Sequence, residues 1–118
     1  MRYAMLICGD ESQWSDIPPE ASRQKMDEIM AWITKWEQAG KLLPGGAELG
    51  FTRDARTVRP GADGQPMMTD GPYLELKEVV GGFILLQADD IDEALAVAAT
   101  WPMVGPRSSV EVRPVIDR

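Results

Sequence analysis

The chain of 118 residues contains no histidine, and that absence removes more chemistry than any other feature of its composition. Without imidazole there is no Ser-His-Asp or Cys-His catalysis, no histidine base, and no ordinary zinc, copper or non-haem iron site. Any acid–base chemistry falls to carboxylates, lysine, arginine, tyrosine or bound water, and neither a metal nor another cofactor is expected. Cysteine is almost missing too: Cys8 stands alone, so no disulfide forms within the chain. Its place in an apolar run reads as a small buried hydrophobe, because a reactive thiol needs exposure and positive neighbours. Long hydrophobic runs are lacking as well. "AMLIC" at residues 4–8 falls far short of the roughly 20 residues needed to span a bilayer, and no signal-peptide cleavage pattern follows it. No membrane contact is expected, and the location expected is cytoplasmic. Positive charge is scarce: 12 basic against 19 acidic side chains leave a net charge of -7. Such a field repels phosphate backbones and anionic lipid, so nucleic acid is not an expected partner.

What is present suffices for one folded domain spanning residues 1–118. A chain of this length buries roughly 65% of the surface its unfolded form exposes, and a composition 44% hydrophobic and 26% charged is that of a globular protein. "RYAMLIC" at 2–8 puts apolar side chains on both alternating sets, as a strand covered on both faces does. "GDESQWSDIPP" at 9–19 is a polar link whose prolines suit a helix entry. From Glu20 to Ala39, Met26, Ile29, Met30, Ile33 and Trp36 recur at helical spacing, and Gly40 closes the helix. Trp32 and Trp36 lie one turn apart and widen the apolar stripe, which fits core or subunit contact better than stacking on a ligand.

Beyond Gly40, "KLLPGGAEL" is a proline-broken strand suited to a sheet edge. "RTVRPGADGQPMMT" reads as a hairpin around Asp63-Gly64. "GGFILLQA" at 81–88 is again apolar on both parities, a second central strand. "DDIDEALAVAATWP" opens with a capping box, Asp90 and Glu93, and carries Ile91, Leu95, Ala98 and Trp101 along one helical face. "SSVEVRPV" alternates Val110 and Val112 with Glu111 and Arg113, a half-exposed strand. The order is βαββαβ with one inserted β-hairpin: an α+β, ferredoxin-like plan, with an antiparallel sheet and two helices on one face. The helices cover one parity of each central strand, so the other parity needs a second cover, and a symmetric copy of the same face is the simplest one.

The densest stretch is "DGPYLELKEVVGGF" at residues 70–83. It holds a turn, three carboxylates, a lysine and a glycine pair. Asp70-Gly71-Pro72 is chemically a turn. If the segment is extended, Glu75 and Lys77 project from one face, where they either clamp a polar ligand or pair with each other. Gly81 and Gly82 suit a bulge or a close backbone approach.

This stretch, with Asp70, Gly71, Pro72, Tyr73, Glu75, Lys77, Glu78, Gly81, Gly82 and Phe83 in their places, resembles the signature of YCII-related proteins of the DGPF type. "RYAMLICGDE" and "SSVEVRPV" resemble the family's opening and closing strands. The resemblance implies a dimeric α/β barrel protein, a homodimer, sometimes associated with extracytoplasmic-function sigma factors. A dechlorinating relative in the wider group is thought to use a His-Asp pair, a mechanism this histidine-free chain does not inherit. The candidate catalytic residues are Asp70, Glu75 and Lys77. The candidate ligand-binding residues are Tyr73, Glu78, Gly81 and Gly82. The expected function is binding of a small organic molecule or a protein partner in a regulatory role. The alternative is a cofactor-free lyase, isomerase or dehalogenase acting on a small organic acid or phenol.

Overall fold

The first strand, β1 (Arg2–Gly9), lies between two neighbours, and the rest of the fold is arranged to cover it. The computed structural model describes residues 1–71 and 78–118. After β1 come a single-turn helix α1 (Ser12–Ser15), the long helix α2 (Pro19–Gln38) and strand β2 (Leu42–Glu48). A 3-10 turn at Thr52–Asp54 leads to a ribbon of β3 (Arg56–Pro60) and β4 (Pro66–Asp70). Strand β5 (Val79–Gln87), helix α3 (Ile91–Ala98) and strand β6 (Ser108–Pro114) complete the chain. The main sheet is antiparallel in the order β2-β5-β1-β6, with β3 and β4 in a separate two-stranded sheet. This α+β arrangement is consistent with the ferredoxin-like plan. The two strands that are apolar on both faces take the centre, and the proline-broken and half-polar ones take the edges. Among the described residues no helix is long and apolar enough to cross a membrane.

One face of the sheet makes the core. Tyr3 and Met5 of β1 and Leu86 of β5 are buried with Trp32 of α2 and with Ala94, Val97, Ala98 and Trp101 of α3 and its exit. Both helices therefore pack on the same face. The inward face of α3 differs from the one that hydrophobicity picks out. Ile91 stands at 36% exposure and Leu95 at 47%, while Ala94, Val97 and Ala98 point in. Small side chains let α3 lie close to the sheet, and the bulk comes from Trp101 beyond its end. On α2 the inward set is Trp32 with Ile29, Ile33 and Trp36 beside it, and Met26 and Met30 are exposed.

The two tryptophans of α2 share one acceptor. Trp32 Nε1 and Trp36 Nε1 both donate to Thr100 Oγ1, at 2.9 and 3.1 Å, and that hydroxyl donates to the Val97 carbonyl at 2.6 Å. Trp32 also meets Trp101 edge to face, 5.0 Å between centroids. Such a pair contributes about 1 kcal/mol beyond its area. The Asp90 carboxylate caps α3 by accepting from Glu93 N, as the sequence pattern predicts, and Lys41 ahead of β2 reaches the Glu93 carboxylate at 2.6 Å.

Among the described residues no helix lies over the opposite sheet face. By register it carries Ala4, Leu6 and Cys8 of β1, Phe83 and Leu85 of β5, and Leu43 of β2. None of these belongs to the core cluster, and all are only partly buried. The β3–β4 ribbon does not cover them. Its apolar cross-strand pair, Val58 and Met68, is 61% and 68% exposed. The radius of gyration, 16.5 Å, exceeds the about 13.5 Å of a compact chain of this length, because the ribbon stands away from the sheet.

Candidate functional site

A cleft of about 710 Å³ opens at the end of the sheet where β1 stops. Four stretches build it. The turn after β1 brings Asp10, Glu11, Ser12 and Ser15; the 3-10 turn brings Phe51 and Arg53; the entry to β5 brings Glu78; and the loop before β6 brings Pro106 and Arg107. Its walls hold three carboxylates and two guanidinium groups and no imidazole.

Local bonding fixes these stretches to one another. Asp10 Oδ1 accepts from Ser12 N and Oγ at 3.0 and 2.7 Å, which closes the turn and starts α1. Both Glu11 carboxylate oxygens are taken by Thr52, one by its backbone N–H at 3.1 Å and the other by its hydroxyl. That clamp ties the 3-10 turn to the end of β1 over a sequence gap that no local pattern spans. Arg107 is held by its carbonyl, which accepts from Asp10 N at 3.0 Å and from Gln13 Nε2 at 2.7 Å.

Trp14, on α1, packs against two glycines of the strands behind the cleft. A Cβ added at Gly81 would lie 2.7 Å from Trp14 Cζ3, and one at Gly9 would lie 2.9 Å from Trp14 Cζ2. The ring thus lies close against backbone that only glycine leaves bare. Gly81 is the extra residue where the β1–β5 register shifts, a β-bulge that turns the start of β5 toward the cleft. Gly82 is buried under β2, where a Cβ would approach the Ala47 carbonyl to 2.9 Å.

The residues singled out from the sequence separate accordingly. Glu78 lines the cleft. Gly81 and Gly82 shape the strand behind it, against Trp14 and β2 respectively. Asp70 lies at the base of the ribbon, opposite Arg56 in register and 3.1 Å from its Nε, and does not line the cleft. Tyr73, Glu75 and Lys77 lie outside the described residues. Gly71 has φ +78°, the left-handed turn that the Asp-Gly-Pro pattern predicts. Sequence reasoning missed Arg53, Arg107, Glu11, Phe51 and Trp14. No motif marks them, since they come from three stretches that only the fold brings together.

Burial pushes the Cys8 thiol up, and the Glu111 and Glu78 carboxylates push it the same way. The thiol is therefore kept protonated at neutral pH and is a poor nucleophile. Among the described residues no group of three or more carboxylate, thiol or imidazole side chains is placed to hold a metal.

Fold and cleft together define a small α+β domain with a histidine-free cleft, lined by both charged and apolar side chains, at one end of its sheet. The chain belongs to the YCII-related family: the model of the YCII-related domain matches residues 1–118. It is similar to an uncharacterized protein of Rhizobium meliloti (strain 1021), with 39% identity over 116 residues, which is 98% of this chain and 92% of that protein.

Proposed function

We propose that this protein is a homodimer that binds a small organic molecule in the cleft beside Glu78 and acts as a binding, regulatory component rather than a catalyst. The observation that carries the reading is the cleft itself. Its volume, about 710 Å³, lies within the roughly 300–1,000 Å³ of small-molecule sites, and charged heads from four separate stretches converge on it. The turns that deliver those heads are braced before any ligand arrives, which lowers the ordering cost of binding. The dimer reading rests on the helix-free sheet face of Leu6, Leu43, Phe83 and Leu85, an apolar surface that a second copy covers by symmetry. Cys8 lies on that face two residues before Asp10 of the cleft, so the cleft opens near the surface that a second copy would cover.

A thermal-shift screen against metabolites tests the binding reading. A ligand at about 100 times its Kd adds about 2.7 kcal/mol of stability, and Ser15→Trp, which fills the cleft from the exposed side of α1, abolishes the shift while leaving the unliganded melting temperature in place. A screen in which no compound stabilises the protein, or in which every hit survives Ser15→Trp, refutes it. Sedimentation at micromolar concentration tests the dimer: twice the chain mass is expected for the native protein and a single chain mass for Leu85→Asp.

A further inference from the structure

The class of ligand follows from which charged heads in the cleft are already engaged. Glu11 is fully engaged by Thr52. Asp10 binds Ser12 through one oxygen, and its other oxygen is 3.8 Å from Arg107 Nη1. A charge-assisted hydrogen bond measures roughly 2.7–2.9 Å, so the Arg107 head is attracted to Asp10 and not locked to it. Its backbone is pinned twice through the carbonyl, while its side chain is 60% exposed. Arg53 reaches the same condition by another route. Its turn is anchored through the neighbouring Thr52, and its guanidinium lies 4.9 Å above the Phe51 ring. Stacking of this kind holds the plane of the guanidinium and leaves its N–H edge outward. Arg53 has no carboxylate partner among the described residues, and Glu78 has no hydrogen-bond or ion-pair partner among them.

Resting on the reading of the cleft as the ligand site, we propose that the ligand is an organic carboxylate that also carries a hydroxyl or ammonium donor. The carboxylate is received by Arg53 and Arg107, whose planar forks match its two oxygens. The donor is received by Glu78, and the carbon skeleton rests on Phe51 and Pro106. A singly charged acid suits the site better than a phosphate ester, because Asp10, Glu11 and Glu78 repel each added negative charge. A purely cationic ligand leaves both guanidinium groups unserved, and a purely apolar one leaves Arg53 and Glu78 without a polar partner among the described residues.

Three probes on one rigid ring separate the contributions: 3-hydroxybenzoate carries both groups, benzoate only the carboxylate, phenol only the hydroxyl. By saturation-transfer NMR, 3-hydroxybenzoate should bind about tenfold more tightly than either of the others, the scale of one lost polar anchor. Arg107→Ala and Arg53→Ala should each lower its affinity about tenfold, and Glu78→Ala, which removes the acceptor, should erase its advantage over benzoate. All three changes lie on exposed heads, and circular dichroism verifies that the fold is kept. Equal affinity for 3-hydroxybenzoate and phenol, or affinity unchanged by Arg107→Ala, overturns the proposal. Benzylamine distinguishes the two levels of failure. If benzylamine binds, loses binding in Ser15→Trp, and the carboxylates do not bind, the ligand class is wrong and the site stands. If no probe binds and the metabolite screen is also silent, both are overturned.

Discussion

Replacing Thr100 by valine keeps the shape of the side chain and removes the single oxygen that two indoles share. A hydroxyl has one donor and two acceptor positions, and all three are in use, toward Val97, Trp32 and Trp36. Trp32 is 6% exposed, so its N–H has little access to water once Oγ1 is gone. An orphaned buried donor costs about 1–3 kcal/mol. Trp36 is only partly buried and can hydrate its own N–H, which adds a few tenths. The Val97 carbonyl keeps the backbone N–H of Thr100 at 3.1 Å and loses little. The expected sum is about 2 kcal/mol. For a domain of this size, at about 4 °C per kcal/mol, that is a fall of roughly 8 °C in melting temperature. Thr100→Ser is the control: it keeps both indole bonds and loses one methyl group on an exposed residue, less than the about 0.8 kcal/mol of a fully buried one. Urea unfolding followed by tryptophan fluorescence and near-ultraviolet circular dichroism measures both variants. If valine is as stable as serine, or within about 0.5 kcal/mol of the native protein, then water replaces Oγ1 and the shared-acceptor reasoning fails.

Three further outcomes follow from the same structure. Gly81→Ala drives a methyl group against the Trp14 ring and should cost about 1–3 kcal/mol; a double-mutant cycle with Trp14→Ala should show most of that cost disappearing, and an additive cycle refutes the contact. The hydrogen bond that Lys41 donates to Glu93 holds its ammonium above the ordinary value of 10.5, so the stability it adds is complete below about pH 10.5 and is lost as pH rises through the raised value. In alkaline titrations of stability, Lys41→Met should therefore remove part of the decline above that pH, and an unchanged alkaline limb argues against the pairing. Replacing residues 58–68 by a short glycine-serine link should leave the four-stranded sheet folded, with a stability change within about 1 kcal/mol, because isolated two-stranded ribbons add little of their own; unfolding of the whole chain shows instead that the ribbon is integral.

Apolar side chains on both parities made β1 and β5 legible as central strands, because "RYAMLIC" and "GGFILLQA" leave no polar parity to turn outward. The capping box of α3 was legible for a local reason, an oxygen three residues from the N–H it accepts. The face of α3 was not. Ranking by hydrophobicity selects Leu95, whereas close packing against the sheet selects Ala94 and Ala98, and only the neighbouring strand reveals which criterion rules. The hairpin was legible from Asp63-Gly64, yet nothing local says that it stands clear of the sheet. The glycine pair pointed to a bulge, but the indole that requires Gly81 lies far back in the chain at Trp14. The cleft was the least legible part. Glu78 was picked out by its motif, but Arg53 and Arg107 become neighbours of it only through tertiary contacts such as Glu11 with Thr52.

The central position of β1 has a kinetic consequence. The strand is made first, yet Tyr3 pairs with Leu86 on one side and with Pro114 on the other. During synthesis it has neither neighbour until β5 and β6 have emerged, and until then its apolar side chains and backbone donors wait unpaired. Non-local pairing of this kind sets a slow folding rate, because the loop-closure entropy is lost before any contact compensates it. A nascent chain halted before residue 79 would hold β1 and α2 without the two strands that flank β1, the condition in which chaperones bind and in which sheet-forming segments aggregate. The strand that organises the finished domain is thus its most vulnerable segment while the ribosome is still at work.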